Sequence, residues 1–431
     1  MLRSIFFGNG LCLAVVLVSV TTSFTQAADW PRFRGPNGSA VSEAQNLPTK
    51  WDDKTNLLWK TPLPGPGSSS PIVVGERIYL TCYTGYGADR SSPGDIQKLE
   101  RHLICASLTD GKIVWDKAVA AAQPEDPFQG YIRDHGYATS TPASDGERIY
   151  VFYGKSGVLA FDLDGNELWR APVGTGSAKN RWGTGSSPII YKNLVIVNAA
   201  AESRAMVGLD KLTGKEVWKS DADNLYSSWS TPVMVDAPEG KQELVVSAPY
   251  ELWGFDPETG KFLWYAEAVA DETICGSVVT RGNVVYAVGG RGGSAVAITS
   301  GGRGDVSKTH TLWTKSLSSY VPSPVLAGDR IFCVNERGIL GCLNAKDGQQ
   351  EFQARLSNAG SIYASPVAAD GKVFLVTRQN GTFVIAADGD GKSLALNKFD
   401  DDSDFNASPA VANGKLLLRS NRALYCVGNK P

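Results

Sequence analysis

Short runs of alternating or unbroken apolar residues recur along the whole chain, each following a turn dipeptide. Asp145-Gly146 precedes Arg148–Tyr153, Asp370-Gly371 precedes Lys372–Val376, and Asn413-Gly414 opens a further run. Such dipeptides tolerate positive φ and favour hairpins. The runs are rich in β-branched and aromatic residues, as in Leu194–Val197, and carry no apolar stripe at three- and four-residue spacing. That pattern predicts strands and excludes a helical solenoid.

A longer period is laid over the shorter one. A Ser-Pro or Thr-Pro dyad precedes an apolar run at Ser70, Thr141, Ser187, Thr231, Ser323, Ser365 and Ser408, with Ser277-Val278 as a degenerate copy. Counted at the second residue of each dyad, the steps are 71, 46, 44, 46, 46, 42 and 43. One fixed period with one early insertion is the mark of a repeat architecture. Six of the repeats go on to a tight turn and an aromatic residue, at Trp115, Trp169, Trp218, Trp264, Trp313 and Phe352. Four strands per repeat and eight dyads predict an all-β fold, an eight-bladed β-propeller of four-stranded antiparallel blades. The eighth repeat stops at Tyr425-Cys426-Val427 without a fourth strand, and Leu57-Leu58-Trp59-Lys60 has the character of the missing one. An N-terminal strand is therefore expected to close the ring and remove two sheet edges.

Composition narrows the function classes. The 42 Lys and Arg residues against 44 Asp and Glu remove the basic footprint of a nucleic-acid binder. Arg3, the apolar stretch Leu11–Val20 and the small residues around Ala27 and Ala28 have the form of a secretory signal, read as cleaved after Ala27. The expected organisation is a signal peptide over 1–27, an N-terminal arm over 28–56 and the propeller over 57–431. The mature chain is expected to be exported to the periplasm or beyond, to be monomeric and to carry no transmembrane span.

The turn small-x-Asp-x-x-Thr-Gly-Lys-x-x-Trp, clearest at Gly208–Trp218 and Gly254–Trp264, resembles that of the pyrroloquinoline-quinone-type repeat propellers. That family includes quinoprotein alcohol dehydrogenases and BamB-like scaffold proteins of the outer membrane, and the resemblance spans residues 57–429. The leader Asp29–Gly38 is similar to one preceding such repeats in exported bacterial propellers. The resemblance implies the ring and the blade-stapling role of the Trp. The vicinal cysteine pair and long insertions of the catalytic quinoproteins are missing, so no cofactor is expected, with pyrroloquinoline quinone and Ca²⁺ as the alternative.

Six cysteines follow the signal. Cys105, Cys342 and Cys426 occupy the third-strand slot filled elsewhere by Ala160, Gly208, Gly254 and Ala297, while Cys82 with Cys105 and Cys333 with Cys342 are left open as disulfides. The run Asp400–Asp404 is read as a solvated acidic loop, because an EF-hand counted from Asp388 puts Phe399 where a bidentate Glu is needed. No nucleophile elbow, zinc motif or phosphate loop occurs.

Function is therefore sought on the loop face, where residues before each dyad should meet those at each second turn. The first set supplies an aromatic mouth that includes Tyr137, Trp182, Trp229, Tyr320 and Tyr363. The second supplies cations that include Lys155, Arg204, Arg291, Arg337 and Arg378. Two insertions, 85–100 and 119–136, should overhang the same mouth, and the second carries Arg133, Asp134 and His135. His135 is read as bracing that loop through Asp134, with proton transfer as the alternative. The expected function is a non-enzymatic scaffold that binds a protein or polymer partner of the cell envelope, the alternatives being a binder of a small anionic or quinone ligand and a quinoprotein oxidoreductase.

Overall fold

A computed structural model describes residues 29–430, so the signal-peptide reading lies outside the described residues. Eight sheets surround a central channel, and in the first seven the four blade strands follow chain order from the channel outward. The third blade shows the plan: Ile189–Tyr191 innermost, then Leu194–Ala199, Ala205–Asp210 and Glu216–Asp221. The eighth blade is closed as predicted, with Leu57–Pro62 pairing antiparallel to Ala423–Val427 as its outer strand.

The Trp repeat holds neighbouring blades together. Trp218 lies opposite Gly208 in register and Trp264 opposite Gly254, with Cys105, Cys342 and Cys426 opposite Trp115, Phe352 and Trp59. A Cβ on Gly208 would stand 2.3 Å from the Trp218 ring, so the slot takes only small residues. The same ring reaches the next blade, where its Nε1 donates to the Pro257 carbonyl at 3.1 Å and its face covers Gly260. Gly260 has φ +69°, and a Cβ there would strike the indole at 2.4 Å. One motif thus fixes a turn and an interface together.

Both cysteine pairings fail on register. Cys82 faces His102 across the ladder, an odd number of residues from Cys105, and Cys333 faces Gly341 next to Cys342. Each pair therefore points to opposite faces of its sheet, and all six described cysteines are free thiols.

The dyads do more than fit a crowded axis. The backbone N–H of each dyad's first residue donates to the hydroxyl of the next blade's, from Ser70 to Thr141 Oγ1 at 2.9 Å and on round to Ser365 with Ser408 Oγ at 2.9 Å. Seven such bonds girdle the channel. At the seam between blades 8 and 1 the buried Arg419 spans the gap instead, donating from Nη1 to the Ser69 carbonyl at 2.8 Å.

The arm was expected only as a leader, yet it crosses the channel floor. Trp30 exchanges two 2.9 Å backbone bonds with Val73 of blade 1, and the Pro31 carbonyl accepts from Ser144 of blade 2 at 2.8 Å. Arg34 Nη2 donates to the Pro324 carbonyl of blade 6, and Val41–Ser42 adds a parallel strand to the inner edge of blade 7. Phe33 is thereby set at the base of the channel.

Candidate functional site

Above that floor lies a cavity of about 160 Å³, bounded below by Phe33, at its waist by the eight dyad residues, and above by Tyr131, Trp182, Trp229, Tyr320 and Tyr363. Its roof comes from the second insertion. There the short helix Ile132–His135 ends at Gly136, whose φ of +75° turns the chain back toward the first dyad. Tyr131 meets Trp182 edge-on with centroids 4.6 Å apart, and Trp182 lies 5.6 Å from Trp229. Two latches reach the far side of the ring. Arg291 Nη2 donates to the Tyr131 hydroxyl at 3.3 Å, and Arg378 Nη2 donates to Asp134 at 3.3 Å.

His135 is a brace, through partners other than Asp134. Its Nδ1 lies 2.7 Å from Thr139 Oγ1 and its Nε2 2.8 Å from the Trp182 carbonyl. Since a carbonyl only accepts, Nε2 carries the proton and Nδ1 accepts from the threonine. Burial depresses the imidazole pKa, outweighing the Trp182 carbonyl and Asp134. A neutral ring with both nitrogens occupied is not free to shuttle protons.

The predicted meeting of aromatics and cations occurs, as stacking. The guanidinium of Arg291 lies 3.7 Å from the Tyr320 ring centroid, Arg204 4.3 Å from Tyr226 and Arg378 4.5 Å from Tyr363. Other expectations are corrected. Tyr137 is buried away from the mouth, in a cluster with Tyr83, Tyr86 and Phe128, and its hydroxyl donates to the Asp126 carbonyl at 2.7 Å. Lys155 is paired with the buried Asp126 at 3.1 Å. The acidic run is only partly solvated. Asp401 is buried and accepts from Ser420 and Tyr425 at 2.6 Å, and Asp404 is buried beneath both insertions. Asp404 accepts from Arg90 of the first insertion at 2.7 Å, from Arg378 at 2.8 Å and from Gln379 at 2.8 Å. Arg133, Arg204, Arg291 and Arg337 remain exposed.

Sequence reasoning gave no site role to Phe33, Tyr131 or Cys275, and placed Glu202 only as an acidic residue among the second-turn cations. Cys275 lines the cavity, and burial pushes its thiol up to about 12. Glu202, on the short helix Ala200–Ser203, is buried against Thr184, and loss of hydration raises its carboxyl to about 7. Tyr131 was the one with a signal, since it lies within the insertion already singled out.

The family model for outer membrane protein assembly factor BamB matches residues 99–354 and 310–394. The chain belongs to that family. This BamB-family chain is 23% identical to the outer membrane protein assembly factor BamB of Burkholderia pseudomallei over 401 residues, covering 80% of itself and 93% of the relative. It is 29% identical to the Escherichia coli factor over 170 residues, 38% of each chain. Among solved structures, BamB from Moraxella catarrhalis superposes with a TM-score of 0.59 at 13% identity, covering 86% of this chain and 99% of that one. A europium-containing methanol dehydrogenase superposes at 0.66 and 12% identity, covering 91% and 89%. At those identities both show the shared ring alone.

The residues do not fit pyrroloquinoline quinone, a planar tricarboxylic acid. The cavity is smaller than the ~300–1,000 Å³ typical of such ligands, and its one charged lining residue, Asp134, would repel them. Arg378, the cation nearest that carboxylate, is already committed to Asp134 and Asp404. Among the described residues no cluster of three acidic, Cys or His side chains stands ready for Ca²⁺.

Proposed function

We propose that this chain is an exported, non-enzymatic scaffold that binds an acidic protein surface of the cell envelope through its loop face. The carrying observation is that Arg133, Arg204 and Arg291 are exposed on that face and, among the described residues, lack a carboxylate within ion-pairing distance. Arg337 beside them has an 82% exposed side chain and only a loose 3.7 Å contact to Glu336. Tyr250, exposed at the second turn of blade 4 with φ +65°, adds an aromatic at the same level. Arginine and tyrosine are the residue types over-represented at the energetic centres of protein interfaces. A rigid ring with its channel floor filled presents them with little ordering cost. The relatives' name, outer membrane protein assembly factor, agrees with a partner among envelope proteins.

Site-specific photo-crosslinking in the native envelope tests the reading. A benzophenone amino acid at Arg337 or Tyr250 should give one discrete protein adduct, and the same probe at Lys192 on the opposite face should give none. Arg291→Ala with Arg337→Ala should reduce the adduct at Tyr250 roughly tenfold, the effect of losing about 1.4 kcal/mol of interface energy. Equal adducts from both faces, or no change in the double variant, would count against a loop-face partner.

A further inference from the structure

The chamber between Phe33 and Tyr131 has a chemistry that partner binding does not use. Its waist carries eight dyad hydroxyls, at Ser70, Thr141, Ser187, Thr231, Ser277, Ser323, Ser365 and Ser408. Seven spend an acceptor lone pair on a backbone N–H of the preceding blade. Ser70 Oγ has no partner at all, because the girdle is open at the seam. Among the described residues, none of the eight donates its O–H to a protein acceptor. The waist thus holds O–H donors without a protein acceptor, beside Asn406 Oδ1, a buried acceptor of the same cavity that also has no partner, and a buried donor without an acceptor is costly.

Above the waist the wall turns aromatic, with Trp182, Trp229, Tyr320 and Tyr363, and no cation lines it. Asp134 is the one charged side chain there, and its carboxylate is held by Arg378. A volume of about 160 Å³ suits a single small ring, since an apolar cavity of ~150 Å³ in another protein admits benzene. A carboxylic acid would be stripped of water without a counter-charge. A hydrocarbon of the same shape would leave the hydroxyls unanswered.

We propose that this chamber binds one small, planar, uncharged molecule bearing a carbonyl acceptor, its ring among the four aromatics and its carbonyl toward the hydroxyl waist. Entry is past Tyr131, which is held by side-chain contacts to Trp182 and Arg291.

Cys275 supplies a reporter, because it lines the chamber while the other five described thiols are buried within blade strands. The full mature chain is treated with methyl methanethiolsulfonate, and modification of the Cys275 peptide is timed by mass spectrometry. Acetophenone, the probe, should slow that modification at least roughly tenfold relative to ethylbenzene at equal concentration, the value of one hydrogen bond. Benzoate should give no protection. Val321→Phe, which fills the chamber wall, should abolish protection by acetophenone and its thermal shift together. Equal protection by ethylbenzene, better protection by benzoate, or none from acetophenone up to its solubility limit would each overturn the proposal. The three-probe series on the unaltered chain decides it even if Val321→Phe fails to fold.

Discussion

The two ends of the channel are closed by different physics. At the floor the arm is held mainly through backbone, with Trp30, Pro31 and Ala40 bonded to the inner strands of blades 1, 2 and 7. At the mouth the second insertion is held mainly through side chains: an edge-on Tyr131–Trp182 contact, the Arg378–Asp134 pair and the His135 brace. Main-chain bonds to the inner strands of three similar blades hardly depend on which side chains those strands carry. Side-chain latches can be lost one at a time. The difference makes the floor the firmer closure of the channel, and the mouth the end whose contacts can be released singly.

The largest effect expected from this contrast is at Trp30. Its indole is 1% exposed and packs over Gly35, where φ is +69° and a Cβ would lie 2.6 Å from the ring. Trp30→Ala should cost about 4 kcal/mol of global stability, in line with other buried Trp truncations, and lower the melting temperature of the whole ring in a single transition. An unchanged melting temperature would mean that the arm is an accessory strap.

Asp404→Asn should act more locally. It removes the charge from the one buried acceptor shared by Arg90 and Arg378, and leaves the longer Asp134 contact as the remaining ion pair of the Arg378 guanidinium, 13% exposed. Breaking such a pair costs about 3 kcal/mol. Because the first insertion loses its link to blade 7 and the second loses part of its latch, hydrogen exchange should rise at residues 85–99 and 129–136 and stay unchanged at Trp30. Uniform acceleration across all blades would erase the distinction between floor and mouth.

How far the molecule was legible follows the same line. The ring was readable because each blade repeats one solution: a small residue under Trp218, a glycine turn at Gly260, a hydroxyl at Ser187, each at a fixed interval. Closure by Leu57–Pro62 was readable because those residues copy the outer strand of every other repeat. The arm has no repeat to copy, so neither its path under the channel nor Phe33 could be read from periodicity. At the mouth, the stacking of Arg204, Arg291 and Arg378 on tyrosines follows from register alone. The fate of His135, Tyr137 and Asp404 depends on how irregular loops fold over one another. Proximity in sequence misassigned the partner of His135 because a four-residue helix turns its ring toward Trp182.

The smallest effect is expected at Glu202, which belongs to neither end but anchors the loop carrying Trp182. Its Oε1 accepts from Thr184 Oγ1, its Oε2 is buried without a partner, and Lys155 and Glu125 are the charged groups that act on it. Burial raises its carboxyl to about 7, above the usual carboxylate value. Between roughly pH 4.5 and 7 the unfolded chain has therefore released a proton that the folded chain still holds. The sign follows from linkage: stability falls as pH rises through that window and levels off above it. Glu202→Gln, neutral at every pH, should flatten this slope and raise the melting temperature at pH 8 relative to the unaltered chain, with little change at pH 5. A variant that keeps the slope would place the titration elsewhere, and would leave the Trp182 loop with no charge-dependent anchor.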